Sequence, residues 1–138
     1  MKQPFKDKKI WVTGASSGIG YACALAFAKQ GAEMIAISGR NSKQLEALKS
    51  QLTCERVLIL PFDVTNREQN LQAVEQINMA FGGVDIVFLN AGGSEHFDIN
   101  CFDSSIFERM IRLNYLSLVY GVEASLPLLR KSRAPQLV

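Results

Sequence analysis

The chain has 138 residues, close to the roughly 150 of a typical single domain. Its composition, 48% hydrophobic and 20% charged, is that of a globular protein and excludes a disordered chain. Fifteen basic and thirteen acidic side chains leave a net charge of +2, too balanced for a protein that mainly binds nucleic acid. We therefore expect one folded domain, no nucleic-acid partner, and only local recognition of phosphate.

The cysteines and the N-terminal residues indicate in which cellular compartment the protein is expected. The chain has three widely spaced cysteines, Cys23, Cys54 and Cys101, and one histidine, which excludes a disulfide framework and a structural zinc site. An early apolar run is interrupted at residues 13–18 by polar residues and glycines, so it is neither a signal peptide nor a membrane span. We expect a cytoplasmic protein without a metal site or a membrane partner.

The first half of the chain alternates strand and helix patterns. Apolar residues 10–12 predict a strand, and residues 18–30 carry apolar side chains at helical spacing up to Gly31. Residues 34–37 predict a second strand. One face of a second helix is marked by Leu45, Leu48 and Leu52.

The same alternation continues through the middle of the chain. Residues 57–60 predict a third strand, and a capping box at 65–68 predicts the start of a helix that ends at Phe81. Two glycines then lead to a fourth strand at 84–89. Apolar strands that alternate with helices indicate an α/β fold, a doubly wound parallel sheet with helices on both faces.

The last segment predicts one long helix and the beginning of a strand. A second capping box at 105–108 predicts a helix that runs to about Lys131. Residues 135–138 are typical of the opening of a fifth strand, after which more chain normally follows. We interpret as core the helix residues Ile106, Met110, Leu113 and Leu116.

A glycine-rich loop, Thr-Gly-Ala-Ser-Ser-Gly-Ile-Gly at residues 13–20, lies between the first predicted strand and the first helix. Glycines there permit a tight turn and let backbone amides approach a pyrophosphate, and the helix N-terminus favours an anion. The alternative is a loop that is rich in glycine for conformational reasons only. A strand is predicted before this loop and a helix after it, and that context favours the phosphate interpretation.

These residues resemble the short-chain dehydrogenases/reductases, which carry T-G-x-x-x-G-x-G at this place. Asp63 and Val64 after the third strand resemble the family's adenine-contacting Asp and the apolar residue that follows it. Residues 89–92, Leu-Asn-Ala-Gly, are similar to its N-N-A-G, except that the apolar Leu89 replaces a polar Asn. Asn114 falls in the helix where the family keeps an Asn of its catalytic tetrad.

The resemblance implies a Rossmann fold, truncated after about four strands, in which residues 1–138 form an NADP-binding domain. It implies a catalytic role for Asn114, namely holding a water in a proton relay. The alternative for Asn114 is a satisfied buried amide or a water site that bends the helix. The residues expected to contact the cofactor are Gly14, Ser16, Ser17, Gly18, Ile19, Gly20, Arg40, Asn41, Asp63, Val64, Asn90, Ala91 and Gly92.

The choice of cofactor is predicted by the residues after the second strand. An acid there would bond the ribose 2′-hydroxyl of NAD, but the sequence is Ser-Gly-Arg-Asn and the next acid is Glu46. Arg40 offers a fork of donors suited to a phosphate, so we predict NADP. The alternative for Arg40 is a solvated loop arginine. Ser16 and Ser17 also have two interpretations, since their hydroxyls can donate to phosphate or cap the helix.

The family's proton-transfer group, Tyr-x-x-x-Lys, is not in this sequence. Tyr21, Tyr115 and Tyr120 are each followed four residues later by an apolar side chain. The chain is therefore interpreted as the N-terminal part of an NADP-dependent oxidoreductase. Three hypotheses stay open: a portion of an active enzyme, a non-catalytic NADP-binding module, and an assembly remnant without a ligand.

The resemblance also implies partners. The full enzyme would act on a small carbonyl or alcohol substrate, and its long helix would lie at a subunit interface, so we expect a homo-oligomer. An uncovered edge of the fourth strand would promote self-association or poor solubility.

Overall fold

Five parallel strands form the sheet of the computed structural model, which describes residues 2–138. Their order across the sheet is β3-β2-β1-β4-β5. This confirms the predicted parallel α/β fold, and the predicted strands differ from the observed ones only at their ends. The strands are β1 (Lys9–Thr13), β2 (Met34–Gly39), β3 (Arg56–Pro61), β4 (Ile86–Leu89) and β5 (Gln136–Leu137).

Helices connect the strands and cover both faces of the sheet. A single 3₁₀ turn, Ile99–Cys101, follows β4, and a π-helical turn, Arg112–Leu116, joins the last two α-helices. The α-helices are α1 (Gly18–Lys29), α2 (Ser42–Gln51), α3 (Arg67–Phe81), α4 (Ser104–Ile111) and α5 (Ser117–Leu129).

Alternate side chains of β1 supply the centres of two core clusters, because successive side chains of a strand point to opposite faces. Trp11 is fully buried in the cluster that includes side chains of α3 and α5. Ile10 and Val12 are fully buried in the cluster that includes side chains of α1 and α2. The Trp11 indole N–H donates to the buried Ser38 hydroxyl at 2.9 Å, so the one polar group of this side chain is satisfied.

Both predicted capping boxes were wrong in detail. α3 is capped by Asn66, whose Oδ1 accepts from the Gln69 N–H at 3.0 Å. α4 is capped by Asp103, whose Oδ1 accepts from the Ser105 N–H at 2.9 Å. Asn and Asp are N-caps at least as good as Ser and Thr. Asn66 is the second residue of the first predicted box, and Asp103 lies two residues before the second.

The predicted long helix is interrupted, and the core predicted along it was wrong. The π turn separates α4 from α5, and α5 ends at Leu129 rather than Lys131. α5 packs against α3 and β4, whereas none of the residues of α4 is buried. Accordingly, the four predicted core residues Ile106, Met110, Leu113 and Leu116 are only half-buried.

The short strand β5 pairs with the beginning of β4, as the pattern of residues 135–138 predicted. Val138 extends this pairing, since its N–H donates to the Val87 carbonyl at 2.9 Å and its carbonyl accepts from the Leu89 N–H at 2.8 Å. The expected uncovered edge of β4 was therefore wrong over this stretch. No helix within residues 2–138 has both the length and the apolar character needed to cross a membrane.

Candidate functional site

A cavity of about 760 Å³ opens at the carboxyl ends of the strands. It spans the point between β1 and β4 where the strand order reverses, which is where open parallel sheets bind their ligands. Its volume lies within the usual range for small-molecule sites, roughly 300 to 1,000 Å³. The predicted site residues that line it are Gly14, Ser16, Ser17, Ile19, Arg40, Asp63, Val64, Asn90, Ala91 and Gly92.

The glycine loop between β1 and α1 is built by close backbone packing. Gly14 and Gly18 have φ values of 65° and 59°, in the left-handed region that favours glycine. A Cβ on Gly14 would lie 2.8 Å from the Ala91 Cα. A Cβ on Gly20 would lie 2.6 Å from the Asn90 Nδ2 and closer still to the Gly14 carbonyl oxygen. Gly18 and Gly20 thus shape the loop without lining the cavity.

Thr13, the first residue of the motif, joins this loop to the end of β4. Its buried hydroxyl oxygen accepts from the N–H groups of Asn90 and Ala91 at 3.1 and 3.3 Å. The Asn90 amide donates in return to the Gly14 carbonyl at 3.2 Å. The two loops therefore form one wall of the cavity.

The N-terminus of α1 lies on the same wall. Ser17 is the N-cap residue, but its side chain makes no capping hydrogen bond, so the capping alternative is not seen for its hydroxyl. The first turn of α1 has no acidic side chain, which leaves the positive end of the helix dipole uncompensated. Ser16 is half-buried, and its Oγ would lie 2.7 Å from a Cβ on Gly39.

Arg40 and Asn41, which follow β2, have different positions. Arg40 lines the cavity, is exposed, and makes no ion pair with any residue of the described part of the chain. Asn41 does not line the cavity. Its Oδ1 accepts from the Gln44 N–H at 3.1 Å and caps α2. Arg40 is thus a free cation at the cavity, whereas Asn41 has a structural partner.

The turn after β3 brings a carboxylate to the cavity. The Asp63 Oδ1 accepts from the N–H and the hydroxyl of Thr65, at 2.9 and 2.7 Å. Phe62 and Thr65 line the cavity beside it, and the Phe62 N–H donates to the Gly39 carbonyl at 3.1 Å. These contacts fix the carboxylate at the end of the sheet.

Asn114 lies within the π turn, a distortion that is frequent at functional sites. Its amide nitrogen donates to the carbonyls of Gly93 and Met110 at 2.8 and 3.0 Å, and its Oδ1 accepts from the Gly93 N–H at 3.0 Å. Asn114 is exposed, so the buried-amide alternative was wrong. Both amide protons are already used, and its side chain holds the loop after β4 instead of lining the cavity.

An ion pair that the sequence did not predict also lines the cavity. The guanidinium of Arg109 in α4 donates to both carboxylate oxygens of Glu95 at 2.9 Å. This pairing holds the pKa of Glu95 below its ordinary value. The pair joins residues 14 positions apart and has no local sequence signal. The other lining residues that sequence analysis missed are Gly39, Phe62, Thr65, Gly93, Ser94, Met110, Arg112 and Leu113.

The chain matches the short chain dehydrogenase family over residues 8–138. It belongs to the short-chain dehydrogenase family. It is 34% identical over 132 residues to an uncharacterized oxidoreductase of Staphylococcus aureus strain MW2, covering 96% of this chain and 57% of that protein. The resemblance inferred from the motifs is therefore confirmed.

Two solved structures show the same fold. A short chain dehydrogenase from Shigella flexneri, complexed with NADP, is 27% identical with a TM-score of 0.89, covering 99% of this chain and 59% of that one. An alcohol dehydrogenase from Thermococcus sibiricus, complexed with 5-hydroxy-NADP, is 29% identical with a TM-score of 0.86, covering 96% and 57%. The chain thus spans little more than half the length of these relatives.

Proposed function

We propose that residues 1–138 form the NADP-binding domain of a short-chain oxidoreductase that transfers hydride between NADP(H) and a carbonyl or alcohol substrate. The observation that carries the proposal is Arg40, a cation without an ion-pair partner within residues 2–138, at a cavity that the glycine loop bounds. Membership of an oxidoreductase family and the NADP complex of the Shigella relative support it.

The residues around the cavity fit a dinucleotide. The glycine loop and the N-terminus of α1 offer backbone N–H groups for a pyrophosphate, and Ser17 adds a hydroxyl free of capping contacts. Arg40 would bind the 2′-phosphate, and Asp63 would accept from the adenine. Ile19, 69% exposed at the cavity, offers an apolar surface. When bound, NADPH supplies the hydride.

Within the 138 residues, the chain's own groups bind and orient and do not donate the proton. No tyrosine in the sequence has a lysine four residues later, and the side chain of Asn114 is occupied by Gly93 and Met110. A water in the proton relay would then have to contact another group of Asn114, such as its backbone carbonyl. The same observations suit the second candidate, an NADP-binding module without turnover.

Calorimetric titration of the chain with NADP and NAD tests the proposal. Because a charge-assisted hydrogen bond contributes about 1.5–3 kcal/mol, we expect NADP to bind roughly tenfold to a hundredfold more tightly. Arg40→Asp should abolish this preference. Lys43→Asp, an equal change of charge at an exposed position of α2, should retain it. Equal affinity for both cofactors would contradict the NADP assignment, and no binding would favour a remnant without a ligand.

We also infer that the protein is a homo-oligomer. Ile111, Tyr115 and Val119, at the end of α4, in the π turn and in α5, are 58%, 64% and 44% exposed, and exposed apolar side chains of this size favour a partner surface. Sedimentation velocity should show self-association that Tyr115→Glu weakens. A monodisperse monomer over a range of concentrations would contradict this inference.

A further inference from the structure

The turn of residues 63–66 connects β3 to α3 and contributes three of its residues to the cavity. Its conformation depends on side chains of the following helix, α3. Two consecutive residues of α3, Gln69 and Asn70, form hydrogen bonds to this turn. Neither of them lines this cavity.

Gln69 bonds both ends of the turn. Its side-chain Oε1 accepts from the Asp63 N–H at 3.0 Å, and its own N–H donates to the Asn66 Oδ1 at 3.0 Å. The first bond fixes the backbone of the residue whose carboxylate faces the cavity. Gln69 is half-buried and Asp63 is exposed, so this bond lies at the surface.

Asn70 bonds the middle of the turn. It is 1% exposed, and its amide nitrogen donates to the carbonyls of Val64 and Asn66 at 2.9 and 2.8 Å. The carbonyl of Asn66 also accepts from the Asn70 N–H within the helix, whereas the carbonyl of Val64 depends on the side chain. The position of Val64 at the cavity is therefore set by Asn70.

The oxygen of the Asn70 side-chain amide, unlike its nitrogen, has no partner. This Oδ1 is buried and accepts no hydrogen bond within the described residues. A buried acceptor without a donor is costly, and a leucine of similar volume would avoid that cost. The presence of an asparagine at this position is therefore better explained by the two carbonyls to which its amide nitrogen donates than by packing.

We propose that Gln69 and Asn70 are positioning residues that preorganise the 63–66 turn for the adenine half of the cofactor. The inference rests on the proposed function, since it concerns how that site is held ready. Ordering a loop at the moment of binding reduces affinity, and a turn that is already fixed avoids this loss. The fixed groups are the Asp63 carboxylate and the Val64 backbone.

The test measures the affinity of the 138-residue chain for 2′,5′-ADP, which carries the adenine and the 2′-phosphate without nicotinamide. Asn70→Leu and Gln69→Ala are compared with Asn78→Leu and Gln76→Ala, the same changes at exposed positions of α3. Gln69→Ala removes one side-chain hydrogen bond to the turn and should weaken binding by about two- to twelvefold. Asn70→Leu removes two and should weaken binding at least as much. Both control variants should bind as the unmutated chain does.

The free energy of unfolding, measured in urea on every variant, separates positioning from a merely structural role. A structural role would change unfolding and leave the affinity of the folded protein unaltered, which would overturn the proposal. If Asn70→Leu does not fold, Gln69→Ala at its half-buried position decides. Failure of the unmutated chain to bind 2′,5′-ADP would instead refute the proposed function, so the two failures are distinguishable.

Discussion

Two walls of the cavity are held in different ways. The glycine wall, residues 13–20 with the end of β4, is fixed by backbone contacts that leave no room for a methyl group at Gly14 or Gly20. A second part of the cavity wall, the rim of residues 92–116, is fixed by exposed side chains, through Asn114 on Gly93 and Arg109 on Glu95. Buried backbone packing tolerates almost no change, whereas exposed hydrogen bonds exchange readily with water.

The difference follows from where each wall lies in the fold. The glycine wall continues directly from β1, whose central residues are fully buried between the two core clusters. The rim includes α4, which has no buried residue. We therefore expect substitutions in the glycine wall to affect stability strongly, and substitutions in the rim to affect it weakly.

The largest expected effect is that of Gly20→Ala. Its Cβ would overlap the Gly14 carbonyl and the Asn90 amide, and backbone atoms cannot move aside cheaply. We expect a loss of about 3 kcal/mol in the free energy of unfolding, measured in urea, together with loss of NADP binding. Gly83→Ala is the matched control, since nothing lies within 4 Å of its added Cβ. Equal losses in the two variants would refute the close-packing explanation.

Ser38→Ala should have the next largest effect. Ser38 lies in β2 just before the cavity, and removing its hydroxyl leaves the buried indole N–H of Trp11 without its acceptor. An orphaned buried donor costs about 1–3 kcal/mol. Ser50→Ala, an exposed change of the same kind in α2, should cost much less. The measurement is thermal unfolding of the three proteins side by side, and a Ser38→Ala protein as stable as Ser50→Ala would show that the indole finds another partner.

The glycine wall is also the part of the site that the sequence predicted best. Apolar strands and the glycine spacing are local patterns, so they predict the sheet, the loop after β1 and the position of Arg40 after β2. What the motif did not reveal is the role of Thr13, whose hydroxyl bonds a loop 77 residues away. A contact of that kind depends on which strands are neighbours.

The rim was predicted poorly for a physical reason. The apolar spacing of residues 106–116 predicts a buried helix face, but periodicity says nothing about whether another element covers that face. The π turn at Asn114 adds a residue to the helical repeat and shifts its face, which spacing based on an α-helix cannot anticipate. The Glu95 and Arg109 pair joins a loop to a helix and likewise has no local pattern.

Asn114→Ala tests how weakly the rim is held. It removes three hydrogen bonds that join the π turn to Gly93 and Met110, but all of them lie at an exposed residue. We expect a loss of about 0.5–1.5 kcal/mol, well below that of Gly20→Ala. Urea unfolding gives the value, and Asn78→Ala at an exposed position of α3 is the control. A loss as large as that of Gly20→Ala would show that the rim is as firmly packed as the glycine wall.

The smallest effect is expected from the ion pair of Glu95 with Arg109. Arg109 lowers the pKa of Glu95 in the folded protein below the ordinary 4.5, so the pair contributes stability above that pH and loses it as the pH falls through the lowered pKa. Glu95→Gln should therefore remove only a small part of the acid sensitivity of unfolding, because both side chains are solvent-exposed.

The control is Glu123→Gln, which breaks the similar pair with Arg67 away from the cavity and should have a similar effect on unfolding. The two variants should differ in cofactor affinity, since only Glu95 lines the cavity. Unfolding is followed between pH 3 and pH 7 at low and at high salt, where salt should screen both effects. A Glu95→Gln protein that loses as much stability as Ser38→Ala would place the pair among the fixed elements of the fold and remove the distinction between the two walls.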